Sequence, residues 1–80
     1  MFQNKKQPMS EVKVIFSTVL SDSENKLTER MKQLRGFIAF SDVRGDERLV
    51  KYVVPEKVSE SFLEECQCQY ETVKAWIEER

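Results

Sequence analysis

The sequence predicts an α+β fold: a two-layer β-α-β-β-α sandwich, with a three-stranded mixed sheet carrying two helices on one face. Three observations predict it. Two-residue alternation marks Val12, Val14, Phe16 and Leu20, and again Val50, Tyr52 and Val54, as strand faces. Between them Leu27, Met31 and Leu34 recur at helical spacing. A longer stripe of Ser59, Phe62, Leu63, Cys66, Tyr70, Val73 and Ile77 occupies one side of a second helix, read from Val58 to Arg80.

The first strand runs from Glu11 to Leu20. Ile15 and Val19 make its second face partly apolar, which fits a central position or cover on both sides. Ser21 and Glu24 stand at capping-box spacing and start the first helix; Arg35 followed by Gly36 ends it. Phe37 to Val43 is the second strand, with Ile38 and Phe40 on one face and Phe37 and Ala39 on the other. In the turn Arg44-Gly45-Asp46-Glu47, Gly45 supplies the positive φ of a hairpin. Arg48 to Val54 is the third strand, and Pro55 stops it and leads into the last helix. The hairpin makes strands two and three antiparallel, whereas the helical crossover makes strands one and two parallel. Residues 1–10 are expected to be a flexible leader before a single domain over 11–80; Lys5 and Lys6 precede no apolar stretch of the kind a secretory signal needs.

Eighty residues leave room for one core. A chain this size buries only about 60–65% of its unfolded surface, so self-association would add stability. A hydrophobic fraction of 40% with two glycines and two prolines is an element-rich composition, unlike that of a disordered chain. Thirteen basic and fourteen acidic residues give a net charge of −1, with no global attraction to nucleic acid or to an anionic membrane. No apolar run approaches the roughly 20 residues that span a bilayer. The expectation is a cytoplasmic protein that leaves membranes alone.

The absence of histidine removes the commonest general base, the Ser-His and Cys-His nucleophile pairs and the commonest zinc ligand. Cys66 and Cys68, two apart on a helix, point about 200° away from each other and cannot bridge without melting the turn. Gly36 and Gly45 are isolated and form no phosphate loop. The carboxylates Asp42, Asp46 and Glu47, and the pair Glu64 and Glu65, read as solvated charges, and Arg44-Gly45-Asp46 as a hairpin turn. No catalytic residue, metal or cofactor is expected.

Two charged surfaces remain. Glu60, Glu64, Glu71 and Glu78 fall in a narrow arc on the outer side of the last helix. Lys74 is the only cation between Lys57 and Arg80, so this row lacks the usual i,i+4 Glu–Lys lacing. Glu78 and Glu79 also sit at a helix end that disfavours them. Such a row can stand in for a phosphate backbone or dock on a basic groove. The first helix carries Lys26, Arg30, Lys32 and Arg35, an alternative surface for an anionic ligand. Lacking aromatic or glycine interleaving, it reads as solubilising or as a partner of the acidic helix.

The stretch from Leu49 to Ile77 comprises a strand, the charged turn Pro55-Glu56-Lys57, and a helix with Tyr70-Glu71-Thr72 and Trp76-Ile77. With the element order and length, it resembles the DinI-like family of small damage-inducible regulators that bind the RecA recombinase filament. The resemblance implies a DNA-mimicking acidic helix, with Glu64, Glu71 and Glu78 in that role and a recombinase as partner. Leu34-Arg35-Gly36-Phe37 leading into Phe40 is similar to the turn before strand two of dimeric ferredoxin-like monooxygenase and haem-degrading domains. That similarity implies a fourth strand after the last helix, for which a helix reaching Arg80 leaves no residues.

The leading functional expectation is a non-enzymatic regulator that presents the glutamate row to a basic surface on a partner protein. The alternative is a homodimer joined through the open sheet face, with a structural or adaptor role. The third is a nucleic-acid binder using the basic first helix.

Overall fold

Strict alternation of apolar residues builds the centre of the sheet. In a computed structural model that describes residues 8–17 and 23–78, the elements are β1 (Met9–Ser17), α1 (Ser23–Gln33), β2 (Phe37–Arg44), β3 (Glu47–Pro55), α2 (Glu56–Cys68) and β4 (Lys74–Glu78). Val12, Val14 and Phe16 of β1 and Val50, Tyr52 and Val54 of β3 are buried. They pair across the strands, Val12 opposite Tyr52 and Val14 opposite Val50, so one face of this central pair is continuously apolar. The two helices cover that face, and Leu27, Met31, Phe62 and Cys66 join the same core. Tyr52 meets Phe62 edge-on, with ring centroids 5.6 Å apart.

The sheet order is β2-β3-β1-β4, and every neighbouring pair is antiparallel. The sheet therefore has four strands where three are expected, and it is antiparallel where a mixed one is expected. The helical crossover does send β1 and β2 the same way, but β3 lies between them. A parallel connection need not join neighbours, and here the hairpin partner fills the gap. This split β-α-β arrangement, taken twice, is the ferredoxin-like topology.

β1 begins at Met9, two residues before the expected start, with Met9 opposite Pro55 and Ser10 opposite Val54. Just ahead of it, the Pro8 carbonyl accepts from the Glu56 backbone N–H at 2.9 Å. That contact satisfies one of the free donors at the start of α2, where Pro55 offers no side-chain cap. The expected end of the first strand at Thr18 to Leu20 and the Ser21 capping residue lie outside the described residues.

Leu27 and Met31 bury the inner stripe of α1, as their spacing requires. The helix closes with paired backbone bonds, Gly36 N–H to the Met31 carbonyl and Arg35 N–H to the Lys32 carbonyl, each 3.0 Å. In this motif Arg35, at φ 67°, takes the left-handed position that glycine usually occupies. Gly36 is required for another reason. A Cβ there would lie 2.5 Å from the Val53 carbonyl and 2.7 Å from Val54 Cγ1, so only glycine lets the chain pass over β3. Gly45 does take a positive φ, in the two-residue hairpin loop.

The second half of the chain departs most from expectation. α2 stops at Cys68 instead of continuing to Arg80, and Lys74–Glu78 is a strand paired with β1. Side chains on both sides of Cys68 hold this end. The Thr72 hydroxyl donates to the Cys66 carbonyl at 3.0 Å, and Gln67 Nε2 reaches across to the Ala75 carbonyl at 3.1 Å. Thr72, Val73, Trp76 and Ile77 are strand formers, and the alternation they belong to wins over the apparent helical stripe. The burial agrees: Ala75 is 7% exposed while Val73, a supposed core residue, is 54% exposed.

Candidate functional site: the open face of the sheet

With both helices on one side, no described element covers the other side of the sheet, where Val53 is nonetheless only 8% exposed, and the registers specify what it displays. Beyond the Met9–Pro55 pair at one end, four rows run across it in the order β2, β3, β1, β4. The first is Phe37, Val53, Glu11 and Glu78; the second is Phe40, Lys51, Lys13 and Trp76. The third is Asp42, Leu49, Ile15 and Lys74, and the last is Arg44, Glu47 and Ser17. A break in register between Ile38 and Phe40 makes Ala39 a bulge. This corrects the expected strand faces. Unbroken alternation would put Phe37 and Phe40 on opposite sides; the extra residue brings both onto the open face.

The two phenylalanines are the chief apolar feature of this surface, Phe37 being 54% and Phe40 49% exposed. Around them the charges are laced. Lys13 Nζ lies 2.9 Å from Glu78, and Lys51 Nζ lies 3.8 Å from Glu11. The hydrogen bond from Lys13, reinforced by its charge, holds the Glu78 carboxyl below the usual carboxylate range. Arg44 Nε lies 3.2 Å from Asp42, and Lys74 Nζ sits 5.1 Å over the Trp76 ring. A hollow of about 230 Å³, lined by Ile15, Asp42, Arg44, Glu47 and Leu49, marks the lower half of the face.

The expected acidic row does not form. Glu60 and Glu64 are exposed on α2. Glu71 lies in the connection after the helix, its N–H donating to Ser23 Oγ at 3.2 Å. Glu78 belongs to β4 and points to the open face, in the other layer of the molecule. The four had been aligned by a helical period that ends at Cys68. The basic set is dispersed too. Arg30 makes a bidentate pair with Glu65 of α2, at 2.9 and 3.1 Å, and bonds Gln33. Lys26 and Lys32, both exposed, lie about 120° apart around α1, and Arg35 is beyond its end.

Cys66 is buried in the core, where loss of solvation pushes its thiol up to about 12, and Cys68 is exposed; both are free. Among the described residues no group of three or more His, Cys, Asp or Glu could hold a metal ion, and no helix is long and apolar enough to cross a membrane. The residues prominent on the open face that escape a sequence reading are Phe37 with Phe40, and Lys74 with Trp76. The second pair was within reach, because Thr72 to Ile77 alternates and is rich in β-branched and aromatic residues. Tyr70-Glu71-Thr72 and Trp76-Ile77, which carry the DinI-like resemblance, lie in the connection and in β4. Comparison of the chain with protein-family models, curated proteins and solved structures returns no match.

Proposed function

We propose that this chain is a non-enzymatic interaction module that works as a homodimer, joined through the open face of its sheet, in a structural or adaptor role. The observation that carries this reading is the placement of Phe37 and Phe40, half exposed and brought to the same face by one bulge. Apolar groups of this size grouped on a surface favour a partner over water. Two further features support a second copy as that partner. A single small core gains stability from association, and a net charge of −1 leaves little repulsion between copies.

Light scattering at tens of micromolar tests it. The expected result is a particle of twice the 9.5 kDa chain mass, falling to the single-chain mass for Phe37→Ser with Phe40→Ser while circular dichroism stays unchanged. A wild-type chain that remains monomeric at that concentration would overturn the proposal.

A further inference from the structure

The open face is asymmetric from edge to edge, and its two edges complement each other. The β2 edge presents Phe40 and the carboxylate of Asp42. The β4 edge presents, in the same two rows, the Trp76 ring and the ammonium of Lys74. Rotation by 180° about an axis parallel to the strands, between β3 and β1, leaves each row in place and exchanges β2 with β4. We infer that two copies stack about this axis, so that Asp42 pairs with the partner's Lys74 and Phe40 packs on the partner's Trp76; this rests on the homodimer reading above.

The same rotation sets Leu49 over the partner's Ile15, an apolar contact near the axis, and Phe37 at the rim over the partner's Glu78. Lys51 comes over the partner's Lys13, but each retains its own carboxylate, Glu11 and Glu78, so no lysine is left uncompensated. Asp42 is free to change partners. Its ion pair with Arg44 is a surface contact, the arginine side chain being 90% exposed, and such pairs hold little. Lys74 has only the face of Trp76 as its described contact. A rotation about an axis across the strands would instead set Phe40 over the partner's Asp42, an apolar ring on a carboxylate, and would give Asp42 no cation from the partner.

Sheet twist does not scramble this register. The outer strands lie about 7 Å from the axis, and two sheets crossing at about 30° displace them by roughly 4 Å, less than the ~7 Å between successive side chains on one face. Four strands at about 4.8 Å and seven residues at about 3.4 Å give some 450 Å² per copy before side-chain relief. That is the scale of a small specific interface once relief is added, with a roughly 1,000 Å² total as its lower bound.

The test is a charge exchange, with masses measured over a dilution series. Asp42→Lys and Lys74→Asp, each counted twice by the symmetry, are expected to raise the dimer dissociation constant about tenfold or more. The double variant is expected to return it to within about threefold of wild type. The single tryptophan supplies an independent readout, its emission shifting to the blue along the same concentration curve as the mass. A wild-type dimer indifferent to both reversals, or not rescued by the exchange, overturns this register but leaves the open-face dimer standing. A mass that doubles with no change in Trp76 emission overturns the register as well. A wild-type monomer overturns the homodimer reading itself.

Discussion

β2 and β3 are neighbours joined by a two-residue loop, and both are rich in large apolar residues, yet they meet opposite fates. Val50, Tyr52 and Val54 of β3 are at most 1% exposed, whereas Phe37, Ile38, Phe40 and Val43 of β2 are all between 44% and 54% exposed. Composition does not separate them; position under a helix does. Leu27, Met31, Phe62 and Cys66 come down on the two central strands and leave the edge strand bare on both faces. Apolar side chains on β3 therefore hold the fold, and those on β2 are available for association. An uncovered apolar edge strand is a liability that natural sheets usually blunt, and the bulge at Ala39 is one device that twists an edge away from uncontrolled pairing.

The largest expected effect lies on the buried side. Phe62 is fully buried against Tyr52, so Phe62→Ala should cost about 3–5 kcal/mol, enough to unfold much of the population of a small domain. Urea titration followed by circular dichroism measures it. A cost under about 1 kcal/mol would mean that the core is not organised around this ring.

Next in size is an alkaline loss that only the buried side can show. Burial pushes the Tyr52 phenol up to about 12, its hydroxyl 3.0 Å from Thr28 Oγ1, and the Cys66 thiol likewise to about 12. Both groups are neutral when protonated, and the unfolded chain releases these protons near the ordinary values of 10 and 9. Their contribution is thus intact below about pH 9 and is lost as pH rises toward 12, so that by pH 11 it has fallen by on the order of 1 kcal/mol for Tyr52 and 2–3 kcal/mol for Cys66. Urea midpoints at pH 8 and pH 11 should differ accordingly, and Tyr52→Phe should reduce the difference. A midpoint independent of pH over that range would show that these groups are not desolvated.

The boundary between the two regions also explains what a sequence reading recovers. The faces of β1 and β3, the Leu27 and Met31 stripe and the hairpin at Gly45 are all legible, because each rests on a local period or a single turn residue. The central strands were not identifiable, since nothing local says that β3 inserts between β1 and β2. The Ala39 bulge leaves no residue signature and reverses the face of everything after it. The end of α2 was hidden by coincidence: Tyr70, Val73 and Ile77 happen to continue the helical stripe beyond Cys68. Two oddities did mark the error. Glu71 lacks lysine lacing because it lies in a connection, and Glu78 does not stand at a helix end but on an edge strand, where it finds Lys13 on the neighbouring strand.

The smallest expected effect sharpens the comparison most, because it separates the open face of β2 from the strand as a whole. Val43 is as exposed as Phe40, but it follows the bulge on the other parity, opposite Arg48, and so lies on the helix side. Val43→Thr keeps the branched shape and strand preference and should change stability by no more than about 0.5 kcal/mol. If association uses the open face, the dimer dissociation constant should also stay unchanged, while Phe40→Ser abolishes the dimer at the same concentration. Should Val43→Thr dissociate the dimer as Phe40→Ser does, the copies meet along the free edge of β2, with both of its faces engaged. The contrast between β2 and β3 would then remain a contrast of burial, but the open face would lose its claim as the working surface.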